Sequence, residues 1–324
     1  MNDTTVLVTG ATGLIGKALI GQLLMDESIS VVALARDRDK AHRVLPIDNS
    51  RLHMYFGDIR SFQFADIAED VDYIVHAASV TASRSFVEKP IETSMTSIEG
   101  AVNVLEYAAT KSVKKIVYLS SMEVYGAPQT DEKITESNCC NIDTMETRAS
   151  YPESKRMCES LCRAYYVEKG VPAVVLRLTQ TFGPGVEYND GRVFAEFARC
   201  ALEGRDIILK TKGETKRSYL HVTDAVNAII IALMNGKSGE SYNVANESTY
   251  CSILEMAQIV ALQCSYSNIE VKIAEDDISK AGYAPILKMN LDTRKMQSLG
   301  WRPKYNLHEM YVDMMAGMKY GKDA

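Results

Sequence analysis

The sequence predicts an α/β fold: a Rossmann doubly wound parallel sheet followed by a smaller C-terminal α/β substrate domain. Three observations lead there. Short apolar runs alternate with amphipathic stretches through the first half of the chain. A glycine-rich turn, Thr9-Gly10-Ala11-Thr12-Gly13-Leu14-Ile15-Gly16, joins the first apolar run to the first helical stretch. After about residue 179 the alternation weakens, and a turn cluster, Phe182-Gly183-Pro184-Gly185, intervenes.

The elements follow in order. Val6-Leu7-Val8 reads as a strand and 14–25 as a helix. Residues 31–34, 52–56 and 73–76 are the next strands, 91–111 a long helix and 116–119 a fifth strand. The stretch 151–169 is helical and precedes a strand at 173–176. Continuous apolar strands between helices indicate a parallel sheet covered on both faces. Farther on, 193–203, 224–234 and 253–263 have helical spacing and 207–209 reads as a strand. The expected division is a dinucleotide-binding domain at 1–180 and a substrate domain at 181–324. Segments such as 241–244 are expected to return to the main sheet.

Composition narrows the function. A chain of 324 residues with 46% hydrophobic and 24% charged content can bury a full core. No apolar run is long enough to span a bilayer, and no basic-then-apolar leader precedes the first strand. A net charge of -6 argues against nucleic-acid partners, so an anionic substrate needs local basic groups. The seven cysteines include an adjacent pair, Cys139-Cys140, and Cys158 and Cys162, four apart on the 151–169 helix. None has zinc-ligand spacing, so no metal site is expected. Reduced thiols in a cytoplasmic protein are the reading, against a redox site.

The glycine turn has the strand-before, helix-after context of a dinucleotide pocket. Gly10 permits the tight turn, Gly13 lets backbone approach the diphosphate, and Gly16 lets helix pack on strand. The free N–H groups at the helix start, around Thr12, Leu14 and Ile15, face the phosphates. The second strand ends Leu34-Ala35-Arg36-Asp37-Arg38. Arg36 stands where a 2′-phosphate would need a cation, which favours NADP over NAD; Asp37 serving NAD is the alternative. Asp58, with Ile59 beside it, is placed after the third strand for the adenine, or else caps a loop.

A second pattern, Tyr151-Pro152-Glu153-Ser154-Lys155, puts a phenol and an ammonium on one helix face. An unperturbed tyrosine is a poor base at neutral pH, and a nearby cation stabilises phenolate. Beside a nicotinamide, such a pair oxidises a hydroxyl or reduces a ketone. An unremarkable surface pair is the alternative.

With these motifs the chain resembles an extended short-chain dehydrogenase/reductase of the NAD-dependent epimerase/dehydratase type that modifies nucleotide sugars. The resemblance covers essentially the whole chain. It rests on Gly10-x-x-Gly13-x-x-Gly16, His76-Ala77-Ala78, Ser120-Ser121-Met122-Glu123-Val124-Tyr125-Gly126, Tyr151-x-x-x-Lys155, Arg177-Leu178-Thr179-Gln180 and Thr215-Lys216-Arg217-Ser218-Tyr219-Leu220-His221-Val222-Thr223-Asp224. It implies that Tyr151 is the acid/base, that Lys155 lowers its pKa and bonds the nicotinamide ribose, and that Ser121 holds the same substrate oxygen. It also implies that Ala77 and Ala78 border the cofactor, that Arg217 meets the nucleotide diphosphate, and that Arg84 and Gln180 line the substrate.

The resemblance leaves the reaction open. Similar 4,6-dehydratases carry Asp then Glu after the serine; here Met122 replaces that Asp, and a thioether cannot donate a proton. Glu123 remains able to abstract a proton next to a ketone. UDP-glucuronate decarboxylases share the Glu and an arginine in a stretch similar to Asn189-Asp190-Gly191-Arg192-Val193, so Arg192 is a candidate for a substrate carboxylate or ketone. Arg36 points instead to an NADPH-driven ketoreductase of a nucleotide-linked keto sugar. The expectation is epimerase/dehydratase-type chemistry through a keto intermediate, with the reductase and the decarboxylase as alternatives. A non-catalytic NADP sensor is the alternative from another class, which intact Tyr151, Lys155 and Ser121 disfavour. Apolar positions on the two long helices (Ile98, Val102, Leu105; Met157, Leu161, Tyr165) and the resemblance imply a homodimer.

Overall fold

The computed structural model describes residues 4–139, 141–274 and 286–321; Cys140 lies outside them. In chain order the first half comprises β1 (Thr4–Thr9), α1 (Leu14–Leu23), β2 (Ile29–Ala35), α2 (Arg38–Val44), β3 (Leu52–Phe56) and β4 (Tyr73–His76). Then come α3 (Ser83–Glu88), α4 (Pro90–Thr110), β5 (Lys115–Ser121), α5 (Ser150–Lys169) and β6 (Ala173–Leu178). The second half adds β7 (Gln180–Phe182), α6 (Val193–Glu203), β8 (Ile207–Leu209), β9 (Lys216–His221), α7 (Val222–Asn235) and β10 (Ser241–Val244). It ends with β11 (Asn246–Ser252), α8 (Ile253–Ile259), β12 (Val271–Ile273), β13 (Lys288–Met289), α9 (Arg294–Ser298) and α10 (Leu307–Gly321).

Seven strands form one parallel sheet in the order β10-β6-β5-β4-β1-β2-β3. Side chains alternate across it. Val6 and Val8 of β1 join the core under α1 and α7, with Leu19, Ile20, Ile229 and Leu233. Leu7, between them, joins the opposite core under α4 and α5, with Val104, Leu105, Cys158 and Cys162. That two-sided burial is why the strands read as unbroken apolar runs. Ser241–Val244 pairs in parallel with β6, so this late segment completes the main sheet.

A separate core gathers Phe182, Phe194, Phe197, Tyr219, Met310, Tyr311 and Met314 around β9, α6 and α10. Strand β9 pairs with β7, β11 and β13, while β12 pairs with β8. The 253–263 helix divides: α8 runs on into a wider turn at Val260–Cys264, a bulge that sequence periodicity does not resolve. No helix of the described residues is long and apolar enough to cross a membrane.

The strand order reverses at β1, whose neighbours are β2 and β4. A crevice opens at such a point, beyond the carboxyl ends of the strands. The turn 10–16 leaves β1 there, and Ala77-Ala78 leave β4 there.

Candidate active site

The glycine turn is built by close approach. Gly10 has φ +70°, and a Cβ on it would stand 2.7 Å from the Ala78 nitrogen and 2.8 Å from the Ala77 carbonyl carbon. A Cβ on Gly16 would lie 2.3 Å from the Gly10 oxygen, so any side chain there pushes α1 off β1. Gly13 caps α1 without a side-chain bond, and the first turn carries no acidic residue. The N–H groups of that turn and the positive end of the helix dipole stay available to an anion. The residues present therefore fit a dinucleotide diphosphate. Thr9 ties the two sides of the crevice: its hydroxyl oxygen accepts from the Ala78 N–H at 3.3 Å and meets His76 Nδ1 at 2.7 Å. His76 is buried, and that burial, with the Lys155 charge second, pushes its pKa down to about 3. It is a neutral structural imidazole at physiological pH.

At the end of β2, Arg36 is exposed. Asp37 accepts from the Lys40 N–H at 2.9 Å and caps α2, so its carboxylate is engaged in the helix start. Arg38 lies 4.3 Å over the Phe56 ring. Asp58 is gripped by Arg60 at 2.9 and 2.8 Å, which brings its pKa down to about 2 against the opposing effect of burial. Ile59 is buried against Gly100 of α4, and its carbonyl accepts from Asn103.

The second group forms where β5 ends and α5 begins. Tyr151 is buried on the first turn of α5, its ring stacked on Phe86 of α3 with centroids 4.1 Å apart. Lys155, one turn on, donates to the Leu119 carbonyl of β5 at 2.8 Å. Its Nζ is 5.8 Å from the centre of the Tyr151 ring, and burial brings its pKa down to about 8. Ser121 accepts from the Glu123 N–H at 3.2 Å. The Tyr151 phenol is displaced upward from its ordinary value, by burial first and by the Glu123 charge second. Its Ser121 hydrogen bond and the Arg148 charge pull the other way. The ammonium is bonded to Leu119 and is itself desolvated, so burial of the phenol dominates.

Sequence reading missed Arg148 and Phe86. Arg148 donates to both Glu123 oxygens, at 2.7 and 3.0 Å, and lies 5.5 Å over the Phe86 ring. The available signal was an arginine three residues before the motif tyrosine, in the short turn Thr147–Ala149 that runs into α5. Met122 is buried, and the Thr179 hydroxyl stands 3.1 Å from its sulfur. Arg177 orders the neighbourhood by bonding Glu159, the Tyr125 hydroxyl and the Glu136 carbonyl.

The expected substrate residues are divided. Gln180 and Arg217 come together, with the guanidinium 3.5 Å from the amide oxygen and Arg217 Nε buried without a partner among the described residues. Such an orphaned donor suits an anionic ligand. Arg192 is engaged by both oxygens of Asp190 and lies over Phe194. Arg84 stands apart: it is exposed on α3 and paired with Glu88.

Residues 6–245 match the model of the NAD dependent epimerase/dehydratase family. The chain belongs to this family. The "UDP-glucuronic acid decarboxylase 1" of Xenopus tropicalis is 31% identical over 309 residues, covering 94% of this chain and 69% of that protein. Two solved structures share the fold over nearly the whole length. A UDP-N-acetylglucosamine 4-epimerase from Methanobrevibacter ruminantium M1, in complex with UDP-N-acetylmuramic acid, superposes with TM-score 0.86 at 21% identity, covering 99% of both chains. A UDP-glucuronic acid 4-epimerase from Bacillus cereus, in complex with UDP-glucuronic acid and NAD, does so with TM-score 0.82 at 21% identity, covering 98% and 99%. Membership in the NAD-dependent epimerase/dehydratase family makes this chain an enzyme of the extended short-chain dehydrogenase/reductase class rather than a non-catalytic sensor.

Proposed function

We propose that this enzyme oxidises a hydroxyl of a UDP-hexuronate to a ketone, lets the acid group leave as carbon dioxide, and then restores the hydroxyl. The observation that carries this choice is the group around Tyr151. A buried Met122 stands where dehydration needs an acid, and Glu123 is held by Arg148 beside the phenol. The 31% identical decarboxylase relative supports it.

NAD, held at the glycine turn 10–16, would supply a hydride acceptor and donor for the carbinol carbon. The chain's residues do the rest. Tyr151 takes the hydroxyl proton, with Ser121 bonding the same oxygen. Gly10, Gly13 and Gly16, with Ala77 and Ala78, hold the diphosphate end, and Gln180 and Arg217 take the nucleotide of the substrate. Once the ketone stands beside the carbon that carries the carboxylate, the carbon–carbon pair moves into the ketone as an enolate while carbon dioxide departs. Protonation at that carbon and return of the hydride complete the cycle. The lobe built around β9, α6 and α10 carries the sugar nucleotide. A homodimer through α4 and α5 is supported by exposed Ile91, Met95 and Met157. Free, buried Cys158 and Cys162 support a reducing cytoplasm.

The test is incubation of the purified enzyme with NAD and UDP-glucuronate. A nucleotide pentose and carbon dioxide in equal amounts are expected by mass spectrometry and gas trapping. Recovery of unchanged substrate, or of an epimer alone, rejects decarboxylation. A second reading, NADPH-driven reduction of a keto sugar, is favoured by the exposed Arg36 and by Asp37 being engaged as a helix cap.

A further inference from the structure

We infer that Arg148 is the seat for the carboxylate of the sugar, and that Glu123 fills that seat as an internal stand-in until substrate exchanges with it. The inference rests on the nucleotide-sugar reading above and names the residue of the same site that takes the sugar's acid group.

Both guanidinium NH groups of Arg148 reach separate oxygens of one carboxylate, the two-pronged geometry by which arginine recognises a planar acid. The pair is not sealed in a core: the two side chains are 29% and 22% exposed. A ligand in the cleft therefore has access to it. Its position relative to the chemistry is set by aromatic stacking. Phe86 carries Arg148 over its ring at 5.5 Å and stacks on Tyr151 at 4.1 Å. Acid seat and phenol thus border one aromatic platform. The inferred pose sets the sugar's carbinol oxygen at Tyr151 and the substituent of the adjacent ring carbon at Arg148. In a hexuronate that substituent is a carboxylate.

The remaining arginines compete poorly for it. The Arg192 fork is closed by Asp190, two residues away, and Arg84 by Glu88 on an exposed helix. Arg217 faces the Gln180 amide, near the place expected for the diphosphate. Arg148 instead pairs across 25 residues, joining the turn after β5 to the turn before α5. Glu123 raises the phenol pKa and Arg148 lowers it.

The test is calorimetric titration of the full chain with NAD, using UDP, UDP-glucose and UDP-glucuronate on wild type, Arg148→Gln and Arg148→Lys. Wild type is expected to hold UDP-glucuronate about 10-fold or more tighter than UDP-glucose, the scale of a charge-assisted bond. Arg148→Gln is expected to erase that preference while UDP and UDP-glucose stay within about twofold, and Arg148→Lys to restore part of it. Equal losses for all three ligands, or an unchanged preference in Arg148→Gln, overturn the inference and leave the nucleotide-sugar reading standing. Failure of wild type to bind any of the three overturns that reading, and the inference falls with it.

Discussion

Phe86 lies flat against Tyr151, with ring planes 6° from parallel. Phe86 is 2% exposed and comes from α3, a helix of six residues that no motif announces. The contact packs the phenol ring against α3. Phe86→Leu keeps apolar volume but removes the flat surface, and offset aromatic pairs contribute about 1 kcal/mol beyond burial. We expect a stability loss of about 1–2 kcal/mol in urea unfolding, with kcat falling about 10-fold and cofactor affinity unchanged. Unchanged kcat in a folded variant would show that the stack positions nothing.

Tyr151→Phe tests the acid/base itself. The substitution removes one oxygen from a buried site and leaves the stack in place, so the fold and the glycine turn are expected to persist. Loss of a general acid/base costs about 10²–10⁴-fold in rate. Hydride transfer, followed by reduced-nicotinamide fluorescence, is expected to fall by that factor while NAD still binds. A variant that keeps more than about a tenth of wild-type rate removes Tyr151 from the mechanism.

Much of this was legible in the sequence because backbone geometry forces it. Gly10 and Gly16 sit where a Cβ collides with main chain, and the alternation of Val6, Leu7 and Val8 between two cores follows from the strand period. The return of Ser241–Val244 to the main sheet was expected as well, and it pairs with β6. Arg148 was not legible, because its meaning comes from Glu123 across 25 residues, and no local spacing encodes that pairing. Phe86 escaped for the same reason. The engagement of Asp37 as a helix cap and of Arg192 by Asp190 are also partner choices, which a sequence leaves open.

Arg36→Ala addresses cofactor choice. Arg36 is exposed where β2 ends, and its charge helps hold Asp58 down. If the side chain meets a 2′-phosphate, its removal is expected to weaken NADPH by about 10–100-fold and NADH by less than about threefold. Fluorescence titration with both nucleotides measures this. Equal losses for the two would assign Arg36 to general electrostatics and leave NAD as the working cofactor.

Lys155 gives a pH signature distinct from activity. It is 3% exposed, and burial lowers its pKa from 10.5 to about 8. The folded chain therefore gives up this proton more readily than the unfolded chain. Between about pH 8 and 10.5 the unfolded state binds more protons, so this residue makes stability rise with pH across that window. Below it the full cost of burying the ammonium is present, on the order of 3 kcal/mol, offset in part by the bond to Leu119. Lys155→Met removes both. Urea unfolding of wild type and variant at pH 7 and pH 10 isolates the residue from other groups that titrate in the same range. The variant's stability relative to wild type is expected to fall by about 2–3 kcal/mol between the two pH values. A difference that stays constant means that Lys155 keeps its proton through the window, and that its ammonium is better compensated than a single carbonyl bond allows.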